Sequence, residues 1–442
     1  MLRCRALLRP ARDSAHKSFL VPFCKKERLA LTVHIIGAGL AGLAAALELQ
    51  DVVIYEAGPA CGGRCRSYFD RELGCRIDNG NHLLLSGNHA AMRYLDMLGT
   101  RDTLGGPGAP VFPFIDLASG ERWCLRPNPG LLPWWLLVPS RGIPGVRLRD
   151  YASLLRLRSA SAEATVGGVL PHDALYRKLI EPLAVSALNT PADQGSARLF
   201  WAIVAESLAR GGAQCVPLFP REGLSESFVD PAVIRITEQG GQVRTGHRIS
   251  ALTIDAGRVT TITGPQGSIQ VAADDQVILA VPAAVAATLL PDLDVPVAHE
   301  AILNLHFRLS LPPGEAGFVG LVGGLAEWVF VKPDVVSVTI SAANRLLDRP
   351  TEALAAEIWG EVCHALDIVA EMPPHRVIRE KRATFTATPE QHRRRPHVTI
   401  NLQNLVLAGD WTDTGLPATI EGAIRSGFAA AQHVTARLRR AS

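Results

Sequence analysis

Apolar and polar positions along this chain fall into blocks that predict their own elements. Val33-His34-Ile35-Ile36 is a short, nearly continuous apolar run, the pattern of a strand buried on both faces. It passes through Gly37-Ala38-Gly39 into residues 40–49, whose small and apolar side chains predict a buried helix. Asp51-Val52-Val53-Ile54-Tyr55 then predicts a second buried strand, ending at Glu56. Further along, 254–271 alternates apolar and polar positions, which predicts antiparallel strands exposed on one face. Gln276-Val277-Ile278-Leu279-Ala280-Val281 and Asn404-Leu405-Val406-Leu407-Ala408 return to the fully buried pattern, and a helix is expected from about Ile420 to Arg437. The stretch 110–215 reads as mostly helical and 295–395 as mixed. The fold class that results is α/β. A Rossmann-like dinucleotide domain is assembled from 32–110, 216–294 and 395–442, with an inserted α+β cap domain from 111–215 and 295–394.

The first strand runs directly into G-x-G-x-x-G, and each glycine has a physical task. Gly37 makes the tight turn, Gly39 lets a pyrophosphate approach the backbone, and Gly42 lets the helix pack closely on the sheet. The helix N-terminus, with the N–H groups of Leu40 and Ala41, favours negative charge there. Glu56 lies about 20 residues beyond the first glycine, where an acid hydrogen-bonds a ribose hydroxyl. No second G-x-G-x-x-G is present, so one built-in dinucleotide is expected.

Composition narrows the class. At 442 residues the chain exceeds the roughly 250–300 at which single cores stop growing, so two domains are expected. A formal charge of +3, with basic residues scattered, excludes a nucleic-acid partner. The eight cysteines show no C-x-x-C and no histidines at zinc spacing, so neither a disulfide framework nor a metal site is expected. The location expected is cytoplasmic. No apolar run reaches the roughly 18–20 residues of a membrane span. Even so, Leu131-Leu132-Pro133-Trp134-Trp135-Leu136-Leu137-Val138, followed by Arg141, Arg147 and Arg149, allows peripheral contact with the inner face of a membrane, a buried loop being the alternative. Residues 1–31 are basic and acid-poor and read as a disordered N-terminal extension.

Gly409-Asp410, closing an apolar strand before a small-residue helix, resembles flavoproteins in which that Asp meets the cofactor's ribityl chain or pyrophosphate. Together with the glycine turn, Glu56, Gly62-Gly63-Arg64 and Thr419-Ile420-Glu421-Gly422-Ala423, it resembles the flavin amine oxidase and phytoene desaturase superfamily. That resemblance implies FAD. Arg64 would lie beside the flavin phosphates next to Gly63, the Ile249 backbone would meet the adenine, and the Ile420 N–H would face the isoalloxazine. No cysteine follows Cys363, so the thioether of some amine oxidases has no candidate and the FAD is expected to be non-covalent. Within the superfamily, Asp78-Asn79-Gly80-Asn81-His82-Leu83-Leu84-Leu85, Glu181-Pro182-Leu183, Ala187-Leu188-Asn189-Thr190-Pro191 and Glu380-Lys381-Arg382-Ala383-Thr384-Phe385 are similar to the hydroxysqualene dehydroxylase family. The family usually has Gln where Asn81 stands, and the link from Gly42 to Glu56 is about one helical turn shorter than the superfamily norm.

The resemblance implies reductive replacement of an allylic hydroxyl on a hydrophobic isoprenoid by hydrogen, with an external electron donor. Loss of hydroxide needs a proton, for which His82 and Asp413 are the candidates. The competing roles are structural: His82 as a partner of Asp78, and Asp413 as a turn residue. Trp328 and Trp411 are the tryptophans expected to line an isoprenoid tunnel. Oxidative carotenoid or phytoene-type desaturation and amine oxidation are the rival activities, and a non-catalytic prenyl-binding protein is a more distant one.

Overall fold

The computed structural model describes residues 31–441; apart from Leu31, the extension expected over 1–31 lies outside them. Five strands form a parallel sheet in the order Gln242–Arg244, Val52–Tyr55, Val33–Ile36, Gln276–Leu279, Leu405–Leu407. Its three inner strands are apolar because both faces are covered. Val33, Ile35, Ile54, Ile278 and Val406 pack on a layer that includes the helices Leu40–Leu47 and Ile420–Ala441. The alternate residues Ile36, Val277, Leu279, Leu405 and Leu407 share a core with Val259 and Ile262 of a three-stranded antiparallel sheet. That second sheet, Ala251–Asp255, Arg258–Gly264 and Gly267–Gln270, is the alternating stretch of the sequence. Asn404 ties the two sheets together, accepting from the Val259 N–H and donating to its carbonyl, both at 2.9 Å.

The Leu40–Leu47 helix has only 8 residues, as the short link to Glu56 requires. It lies so close to the C-terminal helix that a Cβ on Gly427 would stand 2.2 Å from the Ala41 carbonyl oxygen.

A seven-stranded sheet runs His375–Phe385, His299–Arg308, Val335–Ile340, Trp328–Val331, Phe318–Val322, Phe112–Asp116, Arg122–Leu125. All its pairings are antiparallel except that of Phe318–Val322 with Phe112–Asp116. The last two strands correct the expectation that the chain is mostly helical from 110; the helical run begins only at Trp134–Leu137. Their hairpin is closed by Asp116, whose Oδ1 accepts from the Ala118 and Ser119 N–H groups at 2.9 and 3.2 Å. Pro113, which has no N–H to give, weakens the strand signal in the sequence.

The two faces of this sheet differ in chemistry. Ile115, Val319, Val329, Val338, Leu305 and Phe307 pack with Leu354, Ile358 and Val362 of the Thr351–Leu366 helix. The opposite face carries Phe112, Phe114, Trp123, Phe318, Trp328 and Phe330, an aromatic wall in the same core as Val277 and Leu279 of the parallel sheet.

Candidate active site

Parallel α/β sheets bind ligands beyond the carboxyl ends of their strands, and the predicted binding residues gather there. Gly37 follows Val33–Ile36, Glu56 follows Val52–Tyr55, and Gly409 and Asp410 follow Leu405–Leu407. Gly37 has φ +104°, and a Cβ on it would lie 2.4 Å from the Ala280 oxygen, so the turn admits only glycine. A Cβ on Gly42 would lie 2.0 Å from the Gly37 oxygen, which is the close helix packing the motif requires. Gly39 differs, because a Cβ there meets nothing within 4 Å, leaving a space over the turn that the protein does not fill. Gly39, bridged in parallel to Gly62, provides no side-chain cap to the Leu40–Leu47 helix and no acid stands in its first turn, so among the described residues the Ala41 N–H is left without a protein acceptor. Gly63 borders the same space, its Cβ position 3.5 Å from the Gly39 Cα.

Glu56 is oriented by backbone donors: Oε2 accepts from the Ala38 N–H at 2.9 Å and Oε1 from the Gly58 N–H at 2.7 Å. Each oxygen keeps a free lone pair for a ribose hydroxyl. The Glu56 carbonyl accepts from the His247 N–H at 2.7 Å, which draws the following loop, with Ile249, to this end of the sheet. The Ile249 main chain makes no hydrogen bond among the described residues. Arg64 donates to both carboxylate oxygens of Asp410, at 2.7 and 2.8 Å. At the C-terminal helix, Thr419 Oγ1 accepts from the Gly422 N–H at 3.0 Å, while the Ile420 N–H has no acceptor among the described residues. The open glycine turn, the ribose acid, the unpaired main chain at Ile249 and the free helix N-termini therefore fit a dinucleotide.

Two further residues hold this apparatus: Arg395, which the sequence reading passed over, and Glu421 of the C-terminal motif. Arg395, buried at 5% exposure, donates to the carbonyls of Asp410 (3.2 Å) and Thr412 and to Thr414 Oγ1 (3.1 Å), pinning the loop from behind. Glu421 accepts from the Ala90 and Ala91 N–H groups at 3.0 and 2.8 Å, capping the His89–Leu98 helix. Trp411 does not line a tunnel. Its Nε1–H donates to the Val281 carbonyl at 2.7 Å, and its indole packs under Gly409.

The turn 78–82 is held against the seven-stranded sheet. Asp78 is buried at 2% exposure, paired with Lys332 at 2.5 Å, and accepts from Ser67 Oγ–H (2.6 Å) and the Leu224 N–H (2.9 Å). Burial works to raise its pKa, but Lys332 and these donors outweigh it and hold the carboxyl below its ordinary value. Asn304 donates to the Asn79 carbonyl at 3.3 Å, and Asn81 Nδ2 donates to Thr339 Oγ1 at 3.1 Å. Thr339 stands opposite Trp328 on one side and Asn304 on the other. Residues facing each other across strands share a face, so the polar patch that receives the turn continues the aromatic wall. Within the wall Phe114 stacks on Trp123 at 5.6 Å and meets Trp328 edge-on at 5.6 Å.

The imidazole of His82 makes no hydrogen bond among the described residues. Burial lowers its pKa to about 4; Asp78 works to raise it, and Arg64 and Lys332 lower it further. It therefore lies within electrostatic reach of the cofactor-side arginine and the buried ion pair, and is uncharged at neutral pH. Asp413 is set apart from it, in a surface turn, accepting from the Gly415 N–H at 3.4 Å and facing His397 at 3.9 Å.

Residues 40–311 and 328–435 match the family of flavin containing amine oxidoreductases. The chain is 47% identical over 411 residues to hydroxysqualene dehydroxylase of Rhodopseudomonas palustris, covering 92% of this chain and 98% of that one. It is 46% identical over 404 residues to the hydroxysqualene dehydroxylase of Sinorhizobium fredii, covering 90% and 97%. An oxidoreductase from Methanosarcina mazei, 15% identical with a TM-score of 0.65 over 91% of this chain and all of that one, shares the fold. The cradle is thus that of a flavin enzyme. Because the match runs through the aromatic sheet and the helical layer as well as the nucleotide fold, the chain belongs to the hydroxysqualene dehydroxylase family of flavin containing amine oxidoreductases.

Proposed function

We propose that this protein binds FAD without a covalent link and replaces the hydroxyl of hydroxysqualene with hydrogen, forming squalene and water. The observation that carries this reading is the 47% identity to a hydroxysqualene dehydroxylase over 92% of the chain. FAD is favoured over a mononucleotide by Glu56 and the open main chain of Ile249, which suit an adenosine half. Non-covalent binding is supported by the absence of any cysteine after Cys363. The six cysteines among the described residues are unpaired, in keeping with a reducing compartment, and we place the enzyme in the cytoplasm.

When bound and fully reduced by an external donor, the flavin would supply the hydride together with the proton that turns the departing hydroxide into water. The chain's own residues do the rest. The glycine turn and the Ala41 N–H hold the phosphates, and Arg64 and Asp410 orient what lies beside them. The aromatic wall shields an isoprenoid from water and stabilises positive charge on an allylic carbon as the C–O bond lengthens. His82, neutral at working pH, donates a hydrogen bond to the departing oxygen. Asp413 is more simply explained by its turn. An oxidative desaturase would use the same cradle in the opposite direction. Incubation of the FAD-loaded, chemically reduced protein with hydroxysqualene under anaerobic conditions separates the two: squalene is the product expected, and its absence overturns the reading.

A further inference from the structure

Thirteen large apolar side chains are exposed among the described residues, and six of them fall between 131 and 155. Leu131, Leu132, Trp134 and Leu137 stand on and before the 3-10 turn Trp134–Leu137, with Leu132 81% exposed. Leu148 and Leu155, seven residues apart on the next helical segments, are 52% and 65% exposed. The two groups are joined by Trp135, which is buried and meets Tyr151 edge-on at 5.6 Å. These leucines are not on a slack loop. Asn128, 2% exposed, donates to the carbonyls of Gly130 and Leu132 at 3.1 and 2.9 Å and accepts from the Trp135 N–H at 3.2 Å. The backbone is thus fixed with the leucines turned outward, a costly exposure for a surface with no apolar partner.

Charge identifies the partner. From 126 to 158 the chain carries Arg126, Arg141, Arg147, Arg149, Arg156 and Arg158 against a single acid, Asp150; Arg126 pairs with Glu315 at 2.6 Å and Arg149 with Asp150 at 3.7 Å. Arg147, Arg156 and Arg158 are exposed and form no ion pair among the described residues, and Arg141 lies over the Trp134 ring at 4.8 Å. Exposed leucines and an interfacial tryptophan ringed by unpaired arginines are the composition of a surface that rests in the headgroup region of an anionic bilayer. No helix among the described residues is long and apolar enough to cross a membrane, so the contact is a seated one.

We infer that residues 131–158 form a monotopic docking surface for an anionic lipid bilayer, placed to admit substrate from the lipid phase. The patch follows directly on the Arg122–Leu125 strand, and Trp135 and Leu157 share one hydrophobic core with Trp123, Phe114 and Trp328 of the aromatic wall. The docking surface is therefore continuous in packing with the wall, so a seated protein holds its aromatic sheet close to the lipid phase. The substrate part of this inference rests on the proposed function; the bilayer contact does not.

The test is flotation of the FAD-loaded full chain with vesicles of phosphatidylcholine alone and of phosphatidylcholine mixed equally with phosphatidylglycerol. Binding is expected only to the anionic vesicles, and it weakens as salt is raised. Leu131→Ser/Leu132→Ser/Leu137→Ser and Arg147→Gln/Arg149→Gln/Arg156→Gln/Arg158→Gln are each expected to weaken binding at least roughly tenfold. Both sets lie on the surface, so turnover of detergent-dispersed hydroxysqualene is expected to stay at the parent level. Parent protein that remains in the lipid-free fraction, or variants that float like the parent, overturns the inference. So does a concentration-dependent dimer abolished by the leucine variants, which would assign the patch to a second copy. Because the detergent assay reports the chemistry separately, failure of the docking surface leaves the proposed reaction standing, and failure of the reaction leaves the vesicle result interpretable.

Discussion

Arg64 Nη2 donates to both carboxylate oxygens of Asp410, at 2.7 and 2.8 Å, joining the loop after the second parallel strand to the loop after the last, while Nη1 donates to the Ala383 carbonyl. Arg395 braces the Asp410 side through the main chain, so a change at Arg64 acts on a loop that stays in place. Charge-assisted hydrogen bonds of this kind contribute about 1.5–3 kcal/mol. Arg64→Ala is expected to weaken FAD binding roughly 10- to 100-fold in a flavin fluorescence titration. Arg64→Lys restores little, since a single ammonium cannot hold Asp410 and the Ala383 carbonyl as the two guanidinium nitrogens do.

The glycine turn separates binding from folding. Gly39 has φ −72° and free space at its Cβ, so Gly39→Ala is expected to leave the melting temperature of the flavin-free protein unchanged while lowering flavin affinity. Gly42→Ala forces a Cβ to 2.0 Å from the Gly37 oxygen. Overpacking of this kind costs about 1–3 kcal/mol, so its melting temperature falls even before cofactor is added. Equal melting temperatures for the two variants would contradict this division of labour.

With its pKa near 4, His82 does not change charge between pH 5 and 8. The pH profile of kcat is therefore expected to show no inflection near 6.5 that disappears on mutation. His82→Ala removes a hydrogen bond to the leaving oxygen, about 2 kcal/mol or roughly 30-fold in kcat. An inflection near 6.5 lost with the variant would make His82 an acid in its charged form.

Glu327 accepts from the Ser341 N–H at 2.9 Å, and burial pushes its carboxyl up to about 7 from an ordinary 4.5. A raised carboxyl means that folding disfavours the charged form. The stability it contributes is complete below about 4.5 and is lost as pH rises through about 7. Thermal unfolding of the flavin-free protein is expected to show this as a difference, the parent losing on the order of 2 kcal/mol relative to Glu327→Gln between pH 5 and 8, whatever the opposing slope from buried histidines such as His82. Glu327→Gln cannot ionise, so parallel pH dependence in the two proteins would rule the residue out as the source of the difference.

Much of the cradle was legible because its signals are local. Buried-strand runs, the spacing of Gly37, Gly39 and Gly42, and the acid at a strand end are written into consecutive residues. The seven-stranded sheet was less so: Pro113 disguised one of its strands, and Asn81, Asn304 and Thr339 meet only through pairing between distant segments. Lys332 ends an apolar strand and looks like any turn lysine until Asp78 is placed against it. Burial decides the charge of His82 and Glu327, and burial is a property of the packed core. Trp411 shows the same limit in reverse, since a position beside the flavin loop does not say which way an indole turns.

The most direct measurement is the stoichiometry of a single anaerobic turnover. Reduced, FAD-loaded protein is mixed with hydroxysqualene while flavin absorbance is followed and product is quantified by mass spectrometry; oxidised protein is mixed with squalene or phytoene in parallel. One squalene formed for each flavin reoxidised, with no reaction in the parallel mixture, is the result expected. Reduction of the flavin by squalene or phytoene, with hydroxysqualene left intact, would contradict it.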